Sequence, residues 1–407
     1  MSFLPLIRRL FWLFVLLACA WPQAQGRLLS NRARIHLLTV APGAELYSAF
    51  GHTAIWVQDP LAGINTVYNY GTFDFQQGKL TEFYLNFLQG RLNYRLEIES
   101  YREFDYVYHY FQRSYTSQVL DLTQEQKQAV YDFLEYNYLP ENRFYLYEFF
   151  YDNCATRVRD LFTTVLGDTV LQWHEPEQLM EATYRDLLWE YLRDRRWVGF
   201  GIDLILGAVV DEPITPWQSM FLPDYLALEV GQAQLTYPGD TVALVSEKNL
   251  LFEGEAAVRA EPWFLWPITI WTVLLVATGL ITYLGWQRQR WWRGIDVGIF
   301  FLSGLAGLVM LLLWTATIHT AVVENWNLMW LWPTHLIAGL MLIGRPRPWL
   351  RYYFLPSAAL TLLTVLGWFI IPQTFHPAFL PWMLILALRG LYVARMLSPQ
   401  TRTVPGD

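Results

Sequence analysis

Hydrophobic positions divide the chain into two unlike halves. Up to residue 262 they come in short runs cut by polar residues; beyond it they merge into long apolar stretches. In the first half, "RIHLLTV" (34–40), "HTAIWV" (52–57) and "NTVYNYG" (65–71) read as strands, the last two joined by the turn-rich "QDPLAGI". "KLTEFYLNFLQG" predicts a helix ending at Gly90, with "RLNYRLEIE" and "YTSQVLDL" as further strands. Thr123 and Gln126 form a capping box that opens a helix through "QEQKQAVYDFLEYNYL". Asn153 is a good N-cap for a helix from Cys154 to about Leu166. Residues 167–262 are mixed, with strand-like "TVALVSE" before the first long apolar run. The pattern predicts an α+β domain.

The second half predicts an all-α bundle of five transmembrane helices, at 263–286, 294–318, 326–344, 352–372 and 377–396. Each run is long enough to cross a bilayer about 30 Å thick, and several end in Trp or Tyr. Arg389 falls inside the last run and is expected to snorkel to the inner face. After residue 262 the arginines lie at 288, 290, 293, 345, 347, 351, 389, 395 and 402, in or beside the loops after spans one and three or at the C-terminal end. Positive charge marks the cytoplasmic side, so span one runs outside to inside and the C-terminus is cytoplasmic.

The N-terminal end agrees with that orientation. Arg8, Arg9, the short apolar core "LFWLFVLLACAW" and small-residue cleavage sites make residues 1–25 a secretory signal peptide. An uncleaved anchor and a lipoprotein-type box at Cys19 are the alternatives. The expected organisation is a signal peptide at 1–25, a periplasmic domain at 26–262 and a membrane domain at 263–400 of a multi-pass inner-membrane protein.

Composition sharpens this. Hydrophobic residues make up 54% of the chain and charged residues 16%, too apolar for a wholly soluble protein. Residues 27–262 carry 33 Asp and Glu against 18 Lys and Arg, a net of −15. Such a domain is a poor partner for nucleic acid or anionic headgroups. The chain has two cysteines, and removal of Cys19 leaves Cys154 without an internal disulfide partner.

That thiol is the main candidate for chemistry. A cysteine in the first turn of a helix meets the macrodipole and unbonded N–H groups, which favour a thiolate and can hold an oxyanion. Arg157, one turn along, could add positive charge. His52, opening its strand, could take the thiol proton, and Asn69, 17 residues on, could orient the imidazole across a hairpin. Tyr68, Tyr70 and Asp74 are alternatives for that third role. The same residues fit a bland reading too, in which Cys154 is a small buried filler, His52 is structural, and Arg157 and Arg159 are salt-bridged. His36, His109, His174 and His335 read as structural, and His319 and Glu324 as interfacial. One cysteine and scattered histidines offer no metal site, and no motif points to a cofactor.

The order His-strand, polar strand, then "NC" opening a helix resembles the circularly permuted NlpC/papain-like thiol enzymes. More narrowly, "FGHTAIWVQDP", "VYNYGTFDF", "GRLNYRL", "LTQEQKQAVYDFLEYN", "YEFFYDNCATRVRDL" and "FLPDYL" resemble the Lnb N-terminal periplasmic domain family. The resemblance implies a lipoprotein transacylase with Cys154 as nucleophile and His52 as base; Asn69 as orienting residue rests on the looser papain-like likeness. Ser48, in the motif around His52, with Tyr70 and Arg157, would contact substrate. The implied partners are diacylated lipoproteins or membrane phospholipid. The rival readings are a membrane-tethered NlpC-like cysteine peptidase acting on cell-wall peptides and a non-enzymatic envelope assembly protein. The aromatic richness of "FYLYEFFYD" and the five spans favour a lipid substrate over a wall peptide.

Overall fold

A computed structural model of the chain describes residues 27–73, 85–255 apart from 87, and 260–398 apart from 346. The expected signal segment, Cys19, Asp74 and the start of the helix expected at 79–90 lie outside the described residues.

The first half builds a seven-stranded antiparallel sheet. Its strands are β1 (Arg34–Val40), β2 (His52–Asp59), β3 (Ile64–Thr72) and β4 (Asn93–Ser100), then helix α1 (Tyr101–Tyr110), β5 (Tyr115–Leu120), helix α2 (Gln124–Tyr138) and β6 (Phe144–Leu146). Helix α3 (Cys154–Leu166) follows, then β7 (Leu171–Gln172), α4 (Tyr184–Leu192), α5 (Arg196–Ile205), α6 (Pro216–Ser219), α7 (Pro223–Gln232), β8 (Gln234–Tyr237), β9 (Asp240–Ala243) and β10 (Val245–Phe252). The large sheet has the order β10-β5-β1-β2-β3-β4-β6, and β7-β8-β9 form a small second one. The strand expected at 241–247 is divided between β9 and β10, one in each sheet.

Both faces of the central strands are covered, so β1 reads as a continuous apolar run rather than an alternation. Ile35, Leu37, Ile55, Val57, Tyr68 and Tyr70 turn to one face and pack against α2 and α3 through Leu134, Val158 and Phe162. Leu38, Val40, Ala54, Trp56 and Val67 turn to the other and meet Phe104 of α1. The sequence pattern missed α1, although Ser100 and Glu103 form a complete capping box at its start.

The second half is helical: α8 (Pro267–Gln287), α9 (Arg293–Ala316), α10 (Thr334–Leu340), α11 (Arg351–Leu366) and α12 (Phe379–Met396). Among the described residues four helices, the third counted from Pro348, are long and apolar enough to cross a membrane. The expected third span differs in form: only α10 of it is α-helical, after a 3₁₀ turn at Trp326–Met329. Pro333 cannot donate a backbone hydrogen bond, and the Asn327 side chain draws the chain inward by accepting from Trp330 Nε1 at 3.2 Å.

The segment nevertheless runs the length of α9. Asn325 Nδ2 donates to Met310 Sδ at 3.7 Å, and at the far end Arg293 Nη1 donates to the Gly344 carbonyl at 2.6 Å. From 310 to 293 α9 rises about 26 Å at 1.5 Å per residue, close to a full crossing. Close approach depends on Gly304 and Gly307, where any Cβ would collide with the backbone at Leu336 and Leu331. The bundle therefore has five passages, the third only partly helical.

Arg389 does not snorkel. It is buried, with Nε and Nη2 donating to Asp296 at 2.7 and 2.9 Å and Nη1 to Thr282 at 2.7 Å. Hydropathy cannot show that Asp296 of α9 lies level with it. His335 bonds Tyr353 at 2.8 Å inside the bundle.

One element fastens the halves together. Helix α5 pushes Phe200 into the bundle core beside Trp271, Phe379 and Trp382. Its last carbonyls are capped by amides of the bundle: Asn325 Nδ2 reaches Leu204 and Ile205 at 2.9 and 3.1 Å, Asn327 Nδ2 reaches Leu204 at 3.2 Å, and Gln373 Nε2 reaches Leu206 at 3.2 Å. These groups satisfy acceptors that a helix end otherwise leaves open.

Candidate active site

The sheet opens at one end to admit the start of α3. The β2–β3 ladder stops at Ile55↔Tyr68, short of His52 and Gly71. Cys154 enters there, its Cβ 3.4 Å from where a Gly71 Cβ would stand. Gly71 has a φ of 85°, a backbone conformation that favours glycine. The N–H of Thr53, the residue after His52, points at the Cys154 sulfur.

Asn153 fixes the helix start. Its Oδ1 accepts from the Ala155 and Thr156 N–H groups at 2.8 and 2.9 Å, and its Nδ2 donates to the Phe149 and Phe221 carbonyls. The expected N-cap is therefore present, and it occupies two N–H groups that might otherwise meet an oxyanion. The N–H groups of Thr53, Ala155 and Cys154 all favour negative charge on the sulfur, the Ala155 N–H being shared with Asn153.

The imidazole is oriented by a chain of side chains. His52 Nε2 lies 3.0 Å from Asn69 Oδ1, and Asn69 Nδ2 donates to Glu99 Oε1 at 2.8 Å. A carboxylate cannot donate, so Glu99 fixes the amide with its oxygen toward His52. Nε2 then carries the proton and Nδ1 the lone pair, as a base requires. Burial pushes His52 down to about 4, opposed by the Asn69 bond, and pushes the Cys154 thiol up against the Thr53 N–H and Arg113. The resting pair is thus a neutral thiol and a neutral imidazole.

The structure places Cys154, His52 and Asn69 at one end of the sheet, as the spacing suggested. The three residues expected to contact substrate are otherwise engaged. Arg157 is clamped by Asp152 at 2.5 and 2.7 Å and lies over the Tyr145 ring at 3.7 Å, so its charge is neutralised. Ser48 Oγ donates to the Glu45 carbonyl at 2.9 Å, closing the turn before His52. Tyr70 is a buried core residue on the opposite face from Asn69. Tyr68 bonds Glu135 and takes no part.

Sequence reasoning missed Glu99, the Thr53 N–H and Arg113. Strand parity puts Glu99 and Asn69 on one face only once the β3–β4 register is known, here Val67↔Glu99. Among the described residues no group of three or more His, Cys, Asp or Glu could hold a metal ion. His36 bonds Ser117 at 2.8 Å and stacks on Trp56.

A half-buried thiol, an imidazole and an amide at the open end of an α+β sheet, seated on an apolar helical bundle, define a membrane protein with a candidate thiol site outside the bilayer. Residues 20–194 match the Lnb N-terminal periplasmic domain and residues 259–400 the Lnb transmembrane domain. The chain belongs to the Lnb family: it is a membrane protein with a periplasmic domain. No curated protein and no solved structure matches it.

Proposed function

We propose that this protein is a thiol-dependent acyltransferase that moves an acyl chain of a diacylated lipoprotein from the glyceryl group to the N-terminal cysteine amine. Cys154 Sγ attacks the ester carbonyl while His52 Nδ1 takes the thiol proton. The carbon–oxygen bond breaks, the glyceryl oxygen receives that proton, and a thioester and a lyso-glyceryl group result. The substrate's own amine then attacks the thioester, the carbon–sulfur bond breaks, and the released proton returns to the thiolate through His52. An amide replaces a thioester, which drives the transfer.

The observation that carries this reading is Cys154 beside the N–H of Thr53, the residue after His52, with His52, Asn69 and Glu99 joined by hydrogen bonds, in a domain fastened to the membrane bundle through α5. A lipid-anchored substrate has its chains in the bilayer and its peptide outside, so such a site must stand at the membrane surface. The orientation fits the inner membrane with a cytoplasmic C-terminus: Arg288, Arg290, Arg293, Arg345, Arg347 and Arg351 cluster at the bundle end far from α5. A wall peptidase could use the same thiol and imidazole but needs only one anchor.

The test is intact-mass analysis of a model lipoprotein's N-terminal peptide from cells lacking other N-acylating activity, expressing this protein or its Cys154→Ala form. The reading expects an N-acyl, lyso-glyceryl peptide only with Cys154 present. A diacylated peptide with a free amine in both would refute it for this substrate.

A further inference from the structure

Arg113 is a buried cation whose fold partners are all neutral. It is 8% exposed, and among the described residues no Asp or Glu lies within ion-pair distance of it. Its Nε and Nη2 donate to a single carbonyl, Ala41, at 3.0 and 2.8 Å, and its guanidinium lies 5.1 Å from the centre of the Tyr108 ring. Of the other buried arginines, Arg185 pairs with Asp203 and Asp211, Arg389 with Asp296 and Arg159 with Asp160, while Arg195, like Arg113, donates to backbone carbonyls, those of Gly43 and Glu45. A buried charge without a counter-charge is costly, which calls for a reason.

Its position supplies one. Val40 pairs with His52 on one side and Tyr115 on the other, and Ala41 N–H bonds the Ser114 carbonyl at 2.8 Å. Arg113 therefore lies at the same end of the sheet as His52, just past the row that carries it. Three groups near it can become anions: Tyr108, Tyr47 and Cys154. Tyr108 is a half-buried phenol that burial pushes above its usual range, so it stays neutral, and Tyr47 is an exposed phenol that faces solvent. Cys154 alone acquires negative charge during a reaction.

We propose that Arg113 is the counter-charge of the anion that forms at Cys154, first the thiolate and then the oxyanion of the acyl adduct. The other groups facing the sulfur do not take this role. His52 supplies its proton acceptor, Tyr145 and the half-buried Tyr147 are phenols that burial holds neutral, and Asp152 with Arg157 form a self-neutralised pair. The proposal rests on Cys154 being a nucleophile, but its test needs no acyl substrate.

The rival role for Arg113 is mechanical, pinning the Ala41 carbonyl and with it the loop that leads into β2. Two variants of the full-length protein in detergent separate the two. Arg113→Gln keeps a donor for Ala41 and removes the charge; Arg113→Lys keeps the charge and loses the two-pronged hold. The readout is the pH dependence of Cys154 alkylation by iodoacetamide. The charge role expects the Gln midpoint to rise by about one pH unit, with about tenfold slower alkylation at pH 8, and the Lys midpoint to stay near wild type. An unmoved Gln midpoint overturns it. So does a Lys midpoint that rises by a full unit, which is decisive by itself if the Gln variant does not fold.

Discussion

Glu99 touches neither thiol nor imidazole, yet it decides which ring nitrogen of His52 holds the lone pair, through Asn69. Replacing Asn69 by Ala should leave Cys154 in place and lower kcat/KM for acyl transfer on the order of tenfold to a hundredfold, because the imidazole loses its tautomer and heading. Glu99→Gln keeps an oxygen for Asn69 Nδ2 and should stay near wild type, while Glu99→Ala should fall between. Equal losses in all three would mean that the chain of bonds is not what orients His52. At this scale the sequence identified the thiol, the imidazole and the amide from residue type and spacing. Glu99 and Arg113 stayed hidden because their roles depend on strand register and on the end of the sheet they occupy.

At the scale of elements, α3 rests on one residue. Asn153 makes four side-chain hydrogen bonds, two to the helix start and two to carbonyls 4 and 68 residues away in sequence. Asn153→Ala should cost about 2–3 kcal/mol, since it removes a cap and strands buried partners. A thermal-unfolding midpoint unchanged from wild type would contradict this. Strands β1 to β5 and helices α2 and α3 were legible because each carries a local signal, an apolar run or a cap. The partly helical third passage was not: its composition is that of a spanning helix, and its break comes from Pro333 and from Asn327 bonding inside the bundle. Arg389 is the same lesson in reverse, since its partner Asp296 is 93 positions away.

At the scale of the molecule, two features make predictions. The joint between α5 and the bundle sets the height of Cys154 above the membrane. Asn327→Ala with Gln373→Ala should leave iodoacetamide alkylation of Cys154 unchanged and reduce lipoprotein acylation by about a hundredfold, the cost of a misplaced substrate. Loss of both together would make the joint merely a folding element. The second feature is Glu148, just ahead of α3, which burial pushes up to about 7 despite a hydrogen bond from Thr320 of the bundle. Its folded value exceeds the ordinary 4.5, so its contribution is full below about 4.5 and lost as pH rises through about 7. His52 and His36, lowered from 6.5 to about 4, act oppositely: their contribution is full above 6.5 and lost as pH falls toward 4. Glu148→Gln should therefore flatten the fall in thermal midpoint between pH 5 and 8 while leaving the acid fall intact. An unchanged profile would show that Glu148 is not buried as described.

The sequence by itself determined the division into an α+β domain and an apolar bundle, and it predicts the direction in which the bundle crosses and three residues fit for thiol chemistry. Each of these is written in local terms: periodicity, run length, charge beside a span, residue type at a helix start. The tertiary structure alone decided that the thiol meets the Thr53 N–H, that Glu99 orients the amide, that Arg113 lacks a counter-charge, and that bundle amides cap α5. Three of these join residues far apart in sequence, and the third feature is the absence of such a partner. Their partners are chosen by strand register and packing, which no local pattern encodes.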